Sequence, residues 1–401
     1  MSRLRITSLL SGLVLVVTAC GGGGGGSGSG GASPSGTPAP AYPQAIGPLE
    51  DELDLVAWVG YVEDGGNDPN YDWVHPFEAS VGGKCTVKAK TAGTSNEMKD
   101  LMDTGNYDGV SASGNLSGRL VAAGQAAPVN VNLVPNYKDI FPALKDQPYN
   151  TFGGVHYGIP HGRGANLLAW RNDIITGNQD SWSVMFDPNS PGKGKLSVYD
   201  DPIYIADAAN YLASTQPALG IFNPYELDQK QFDAAVNLLT TQRPMIAEYW
   251  TDAAAQIQSY TSGTITLGTT WQYQVNTLLT QKVKITATLP KEGSTGWSDT
   301  WMVYSKAKHP NCMYKWMDWI TSPKVNAQVA VWFGEAPANS KACAEAEKLS
   351  PGHCDTFHAN DAAYFAKVHL WTIPTAACGD NRGNICKDYS AWLQAWTQIK
   401  G

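Results

Sequence analysis

Beyond its first twenty residues, this chain of 401 has no apolar run that approaches the roughly 20 residues a membrane-spanning helix needs. It has no G-x-S-x-G, no H-E-x-x-H and no phosphate-binding P-loop, so the common local signatures of serine hydrolases, zinc proteases and nucleotide hydrolases are missing. Ser305-Lys306-Ala307-Lys308 matches S-x-x-K, but it has no partner motif and stands at the end of an expected strand. No two cysteines stand as C-x-x-C, which leaves a metal reading only His353, Cys354 and His358 to draw on, with no second half. Positive charge is short: 28 Lys and Arg face 36 Asp and Glu, for a formal net charge of −8. That balance argues against nucleic acid and mildly favours a cationic partner. No internal repeat is present. No cofactor, catalytic residue or metal site is expected.

The first twenty residues read as a targeting segment. Arg3 and Arg5 precede a short apolar stretch, Leu9 to Val17, too short and wrongly flanked for a transmembrane helix. It ends in Val17-Thr18-Ala19-Cys20, which resembles the lipobox of bacterial lipoproteins, where the Cys is lipidated. Residues 21–48, rich in Gly and Ser and then in Pro, form a tether that cannot bury a core. The expectation is a signal peptide over 1–20, a lipid anchor on Cys20 and a domain held on the outer side of a membrane. The other six cysteines suit an oxidising compartment. Cys343 with Cys354 and Cys378 with Cys386 would each close a short loop, which leaves Cys85 with Cys312.

The rest, about 350 residues from 49 on, exceeds one ordinary core and predicts two lobes. "LDLVAWVG" (53–60), "CTVKAKTA" (85–92) and "YDGVSAS" (107–113) read as strands. Between the last two, Thr94 to Glu97 has the spacing of a capping box for a helix ending at Gly105. "YGIPHGRGANLLAWR" carries two strands; "KLSVYDD", "TITLGTTW" and "TWMVYS" carry one each. Helical periods run through "IADAANYLAST", "QKQFDAAVNLLTTQR", "TDAAAQIQSYTSG", "PNCMYKWMDWIT", "PKVNAQVAVWFG" and the final "YSAWLQAWTQIK". Alternating strands and helices predict an α/β fold with parallel sheets.

Seven stretches, in order, resemble one family: "AWVGYV" (57–62), "TSNEMKDLMDTGNYDGVSAS" (94–113), "YGIP" (157–160), "VYDDP" (198–202), "TITLGTTW" (264–271), "PKEGSTGWSD" (290–299) and "FGEAPAN" (333–339). The family is the substrate-binding proteins of ABC importers, within them the spermidine/putrescine-binding group. The final sixty residues, with four Cys, do not resemble it. The resemblance implies a type II periplasmic-binding-protein fold: two α/β lobes with a hinge, closing on a ligand. Lobe 1 would hold 49–160 and 300–345; lobe 2 would hold 161–299 and 346–401. It also implies a small organic amine as ligand, a permease partner, a monomer and no chemistry.

An amine needs carboxylates at its ammonium groups and aromatic faces along its stem. Here the resemblance supplies candidates. Trp58 and Tyr61 match an aromatic pair after the first strand; Ser113 matches a polar contact. Trp271 and Trp297 match two cleft aromatics. Asp299 matches the carboxylate that grips an ammonium, so Trp297 and Asp299, at the doorstep of an apolar strand, would form half a clamp. Asp201 matches a second carboxylate. Tyr204 stands where the family usually offers Glu, and Glu335, where it often has Tyr, would offset that loss. Arg163 stands where polyamine binders tend to have an aromatic. Facing the cleft, it would bind a carboxylate and imply a zwitterionic ligand; otherwise it would pair with a local carboxylate such as Asp200.

Overall fold

A computed structural model of the chain describes residues 42–401; Cys20 and residues 21–41 of the tether lie outside the described residues. In chain order its strands are β1 (Glu52–Trp58), β2 (Thr86–Ala92), β3 (Gly109–Ala112), β4 (Thr151–Phe152), β5 (Val155–His156), β6 (Gly158–Ala165) and β7 (Leu167–Arg171). They continue as β8 (Leu196–Tyr199), β9 (Ile246–Trp250), β10 (Leu267–Thr270), β11 (Ile285–Thr288), β12 (Ser294–Val303), β13 (Ala336–Pro337) and β14 (Val368–Leu370).

The first sheet runs β13-β6-β12-β3-β1-β2. Strands β2, β1 and β3 are parallel, as their helical connections require. From Leu55 onward β1 is buried on both faces, which explains its unbroken apolar run, whereas β2 is an exposed edge carrying Lys88 and Lys90. The helix between β2 and β3, Ser95–Asp103, begins at Thr94 with the full capping box. The second sheet runs β11-β7-β10-β8-β9. Each sheet has its own core. The first gathers Leu53, Val56, Trp301 and Trp316; the second gathers Leu168, Val198, Trp182 and Trp250.

The chain crosses between the sheets twice at the strands. Asn166 alone separates β6 from β7, and residues 289–293 lead from β11 back to β12. Among the described residues three disulfides form: Cys343–Cys354 and Cys378–Cys386, expected from their short loops, and Cys85–Cys312, the pair these left over. Cys354 is therefore unavailable as a thiolate ligand.

The tail departs from the expected lobe assignment. Residues 342–359 pack on the first lobe: Ala342, Ala346, Cys354 and Phe357 share a cluster with Ala327 of helix Pro323–Phe333. Strand β14 then joins β12 in parallel. The rest of the tail reaches the second lobe: Trp371 stacks on Tyr199, and the final helix, Tyr389–Lys400, docks with Trp392 against Phe232 and Lys400 on Asp200. The assignment of 346–401 to lobe 2 thus fails over its first part, because small alanines on facing helices allow close packing there.

Candidate functional site

A cavity of about 460 Å³ opens between the two sheets. The first lobe contributes Trp58 at the end of β1, Glu63 and Asn67 in the following loop, and Trp332 and Phe333 at the end of their helix. The second contributes Asp252 and Trp271, which follow the carboxyl ends of β9 and β10 and cap the next helices, and Tyr273. Carboxyl ends of parallel strands are where such sheets hold ligands. Trp297, on β12, sits between: its ring lies 5.9 Å from that of Trp271 and 5.7 Å from that of Phe333, both edge-to-face. Gly164 makes room for it, since a Cβ there would fall 2.5 Å from the Trp297 ring. The cavity's lining carries two carboxylates, Glu63 and Asp252, and no Lys, Arg or His. Glu63 accepts from Asn67 at 2.7 Å through Oε2, and Asp252 accepts from the Ala255 N–H through Oδ1. Among the described residues each carboxylate keeps one oxygen without a protein donor.

Deeper in the first sheet is a second polar cluster. Strand β6 bulges at His161, where the pairing steps from Asp299↔Gly162 to Thr300↔Pro160. Tyr61 Oη lies 2.7 Å from Asp299 Oδ2 and 2.7 Å from Glu335 Oε2, and the Ser113 hydroxyl donates to Asp299 Oδ1. His161 Nδ1 is 3.3 Å from Glu335 Oε1, within ion-pair distance but outside hydrogen-bond geometry. Gly162 is required here, because a Cβ would fall 2.0 Å from the Glu335 carboxyl carbon. A phenol has one hydrogen and two carboxyl neighbours at this site. It can donate fully to only one of them, so a proton on the other carboxyl would complete the pair. Burial pushes Asp299 up to about 7, so this carboxyl takes up a proton well above the ordinary carboxylate range.

A family model for bacterial extracellular solute-binding proteins matches residues 72–353. The chain belongs to that family. Spermidine/putrescine-binding periplasmic protein 1 of Haemophilus influenzae is 23% identical over 302 residues, which cover 75% of this chain and 78% of that protein. Among solved structures, a putative spermidine/putrescine ABC transporter from Listeria monocytogenes superposes with a TM-score of 0.69 at 18% identity, covering 88% of this chain and 99% of that one. An A. tumefaciens B6 binding protein in complex with glucopine superposes with a TM-score of 0.65 at 16% identity, covering 87% and 100%. This solute-binding protein therefore has the two-lobe periplasmic-binding-protein fold and is an ABC-importer subunit similar to the polyamine group. Such subunits act outside the cytoplasm, bind small ligands and hand them to a permease.

Of the residues singled out in the solute-binding protein's sequence, Trp58, Trp271 and Trp297 line the cleft. Tyr61, Ser113, Asp299 and Glu335 come together, but in the buried cluster rather than on the cleft lining. Trp297 and Asp299 are not at a doorstep: both lie inside β12 and share one of its faces, two residues apart. Asp201 is buried and binds across the lobe boundary to Asn115 Nδ2 at 3.2 Å; burial pushes it up to about 6. Tyr204 is a core residue of the second lobe, its hydroxyl on Gln242. Arg163 meets neither expectation. Asp200 pairs with Lys400 instead, and Arg163 leaves β6 on the face opposite Gly162 and Gly164, away from the cleft. Sequence reasoning missed Glu63, Asn67, Asp252, Tyr273, Trp332 and Phe333. Trp332 and Phe333 had a signal, two adjacent aromatics just before the helix-ending Gly334, which has φ +84°.

Proposed function

We propose that this solute-binding protein captures a polyamine in its inter-lobe cleft and presents it to an ABC permease as a lipid-anchored monomer. The observation that carries the reading is the cleft's lining: indole and phenyl faces, two carboxylates each with an open oxygen, and no cation. Methylenes of the ligand lie along Trp58, Trp271, Trp297 and Trp332, and its ammonium groups reach Glu63 and Asp252. The names of the curated relatives point to the same class of ligand. Contacts from both lobes favour the closed arrangement, which distinguishes loaded from empty receptor.

Ligand-dependent melting tests this against putrescine, spermidine, amino acids, opine-like conjugates and aminophosphonates. A true ligand at about a hundred times its Kd adds roughly 2.7 kcal/mol of apparent stability. Polyamines are expected to shift the transition, and Glu63→Gln is expected to weaken their binding about tenfold or more, the loss of one charge-assisted contact. A shift with zwitterions alone overturns the polyamine reading. The anchor is tested separately: Cys20→Ser is expected to move the protein from the membrane fraction to the medium or periplasmic extract, and continued membrane association would argue for another anchor.

A further inference from the structure

Behind β6, on the side away from the amine cleft, is a larger cavity of about 800 Å³. Its walls come from three places: residues 141–149 of the first lobe, residues 222–226 of the second, and residues 359–372 of the tail. Arg163 reaches into it. Arg163 is 5% exposed and its guanidinium stacks on Phe365, with Cζ 3.8 Å from the ring centroid, while Phe141 stands 5.5 Å off. Nη2 donates to the Ala359 carbonyl at 3.0 Å, and Nε–H has no partner. Among the described residues no carboxylate lies within ion-pair distance of Arg163. The acid on this cavity's wall, Glu226, already accepts from Asn223 Nδ2 at 2.9 Å and the Gly379 N–H at 2.8 Å. A second wall residue, Tyr149, is 1% exposed, and its hydroxyl makes no hydrogen bond within normal limits.

A buried cation without a counter-charge is costly, and a fold that keeps one next to a cavity leaves a place for an anion. Burial lowers the Arg163 pKa to about 10, so it is charged at neutral pH. We propose that this cavity is a second ligand site, distinct from the amine cleft, which takes a small organic carboxylate with an apolar body. The carboxylate accepts a charge-assisted bond from Arg163 Nε–H and a second bond from the Tyr149 hydroxyl. The apolar body lies against Phe141, Phe365 and Leu370, under Phe222, which is 87% exposed at the wall. The surroundings decide between a bare inorganic anion and an organic one: Arg163 and Tyr149 line a cavity with aromatic walls and more room than a bare anion fills.

Calorimetric titration of the disulfide-intact protein tests it with phenylacetate, acetate and inorganic phosphate as probes. Phenylacetate is expected to bind saturably at one site, more tightly than acetate or phosphate, whether or not putrescine is present. Arg163→Gln is expected to weaken phenylacetate at least tenfold and leave putrescine binding unchanged. If Arg163→Gln does not fold, Tyr149→Phe decides, because it keeps the ring and removes only the hydroxyl; a threefold or greater weakening is expected. The proposal is overturned if wild-type protein binds no phenylacetate up to about 10 mM, a range that still detects millimolar affinity. It is equally overturned if phosphate outcompetes phenylacetate, or if the folded variants bind phenylacetate as the wild type does. Because putrescine is followed in the same cells, failure here is separable from failure of the polyamine reading.

Discussion

Asp299 shows how one residue couples the cleft's support to pH. Its ordinary pKa of 3.8 is raised by burial to about 7, Asp207 is raised to about 7 and Asp201 to about 6. Between pH 4 and 7 the folded chain holds more protons at these sites than the unfolded chain, so they lower stability as pH rises through that window and cost a constant amount above it. Exposed carboxylates with lowered pKa, such as Asp103 and Asp380, act oppositely and lose their contribution only below about pH 4. The melting temperature is therefore expected to peak near pH 4 and to fall between pH 4 and 7. Asp299→Asn should flatten that fall and raise the melting temperature at pH 8, since an amide can donate to Tyr61 and accept from Ser113 without ionising; scanning calorimetry at pH 4 and pH 8 checks it. A melting temperature for the variant below wild type at pH 8 would mean Asp299 is ionised and useful there. Much of this residue-scale picture was within reach of the sequence. The W-x-D spacing places both side chains on one strand face, and G-R-G at 162–164 gives one face with no side chains and one with a guanidinium. Which face met the cleft was not readable, because the bulge at His161 shifts the alternation and has no sequence mark of its own.

Elements were legible where local chemistry is decisive. The capping box at Thr94 and the helices Gln229–Gln242 and Tyr389–Lys400 all follow from period and cap residues. Strand β9, "IAEYW", was missed because its exposed neighbours and short apolar content look like loop, and β14 was missed because three residues inside a Cys-rich tail give no period. What fixes them is pairing with β8 and β12, which is tertiary information. The closing helix matters beyond its own length. Trp392 is fully buried against the second lobe and Trp396 Nε1 donates to Asp200 at 2.9 Å. Trp392→Ala is expected to destabilise the protein by about 3–5 kcal/mol, the usual range for emptying an aromatic core position. Chemical denaturation reads it directly; a loss under 1 kcal/mol would mean the helix is docked without contributing to the fold.

At the scale of the whole molecule, the tail bridges the lobes. Trp371 stacks on Tyr199 of the second lobe, while its carbonyl lies 1.7 Å from where a Cβ on Gly114 of the first would be, so that residue must be glycine. Tyr389 receives the Arg119 guanidinium over its ring at 4.5 Å. A third connection thus joins two lobes already linked by the paired crossings, and no composition or period in the tail announced that role. The long disulfide has a different consequence. Cys85 and Cys312 are 227 residues apart, and every strand of the second sheet, from Leu167 to Thr288, falls inside the loop they close. A peptidase outside the cell that cuts any exposed turn of the second lobe therefore opens the loop without separating the pieces. Both fragments stay in one covalent body, and a nicked receptor can keep its cleft.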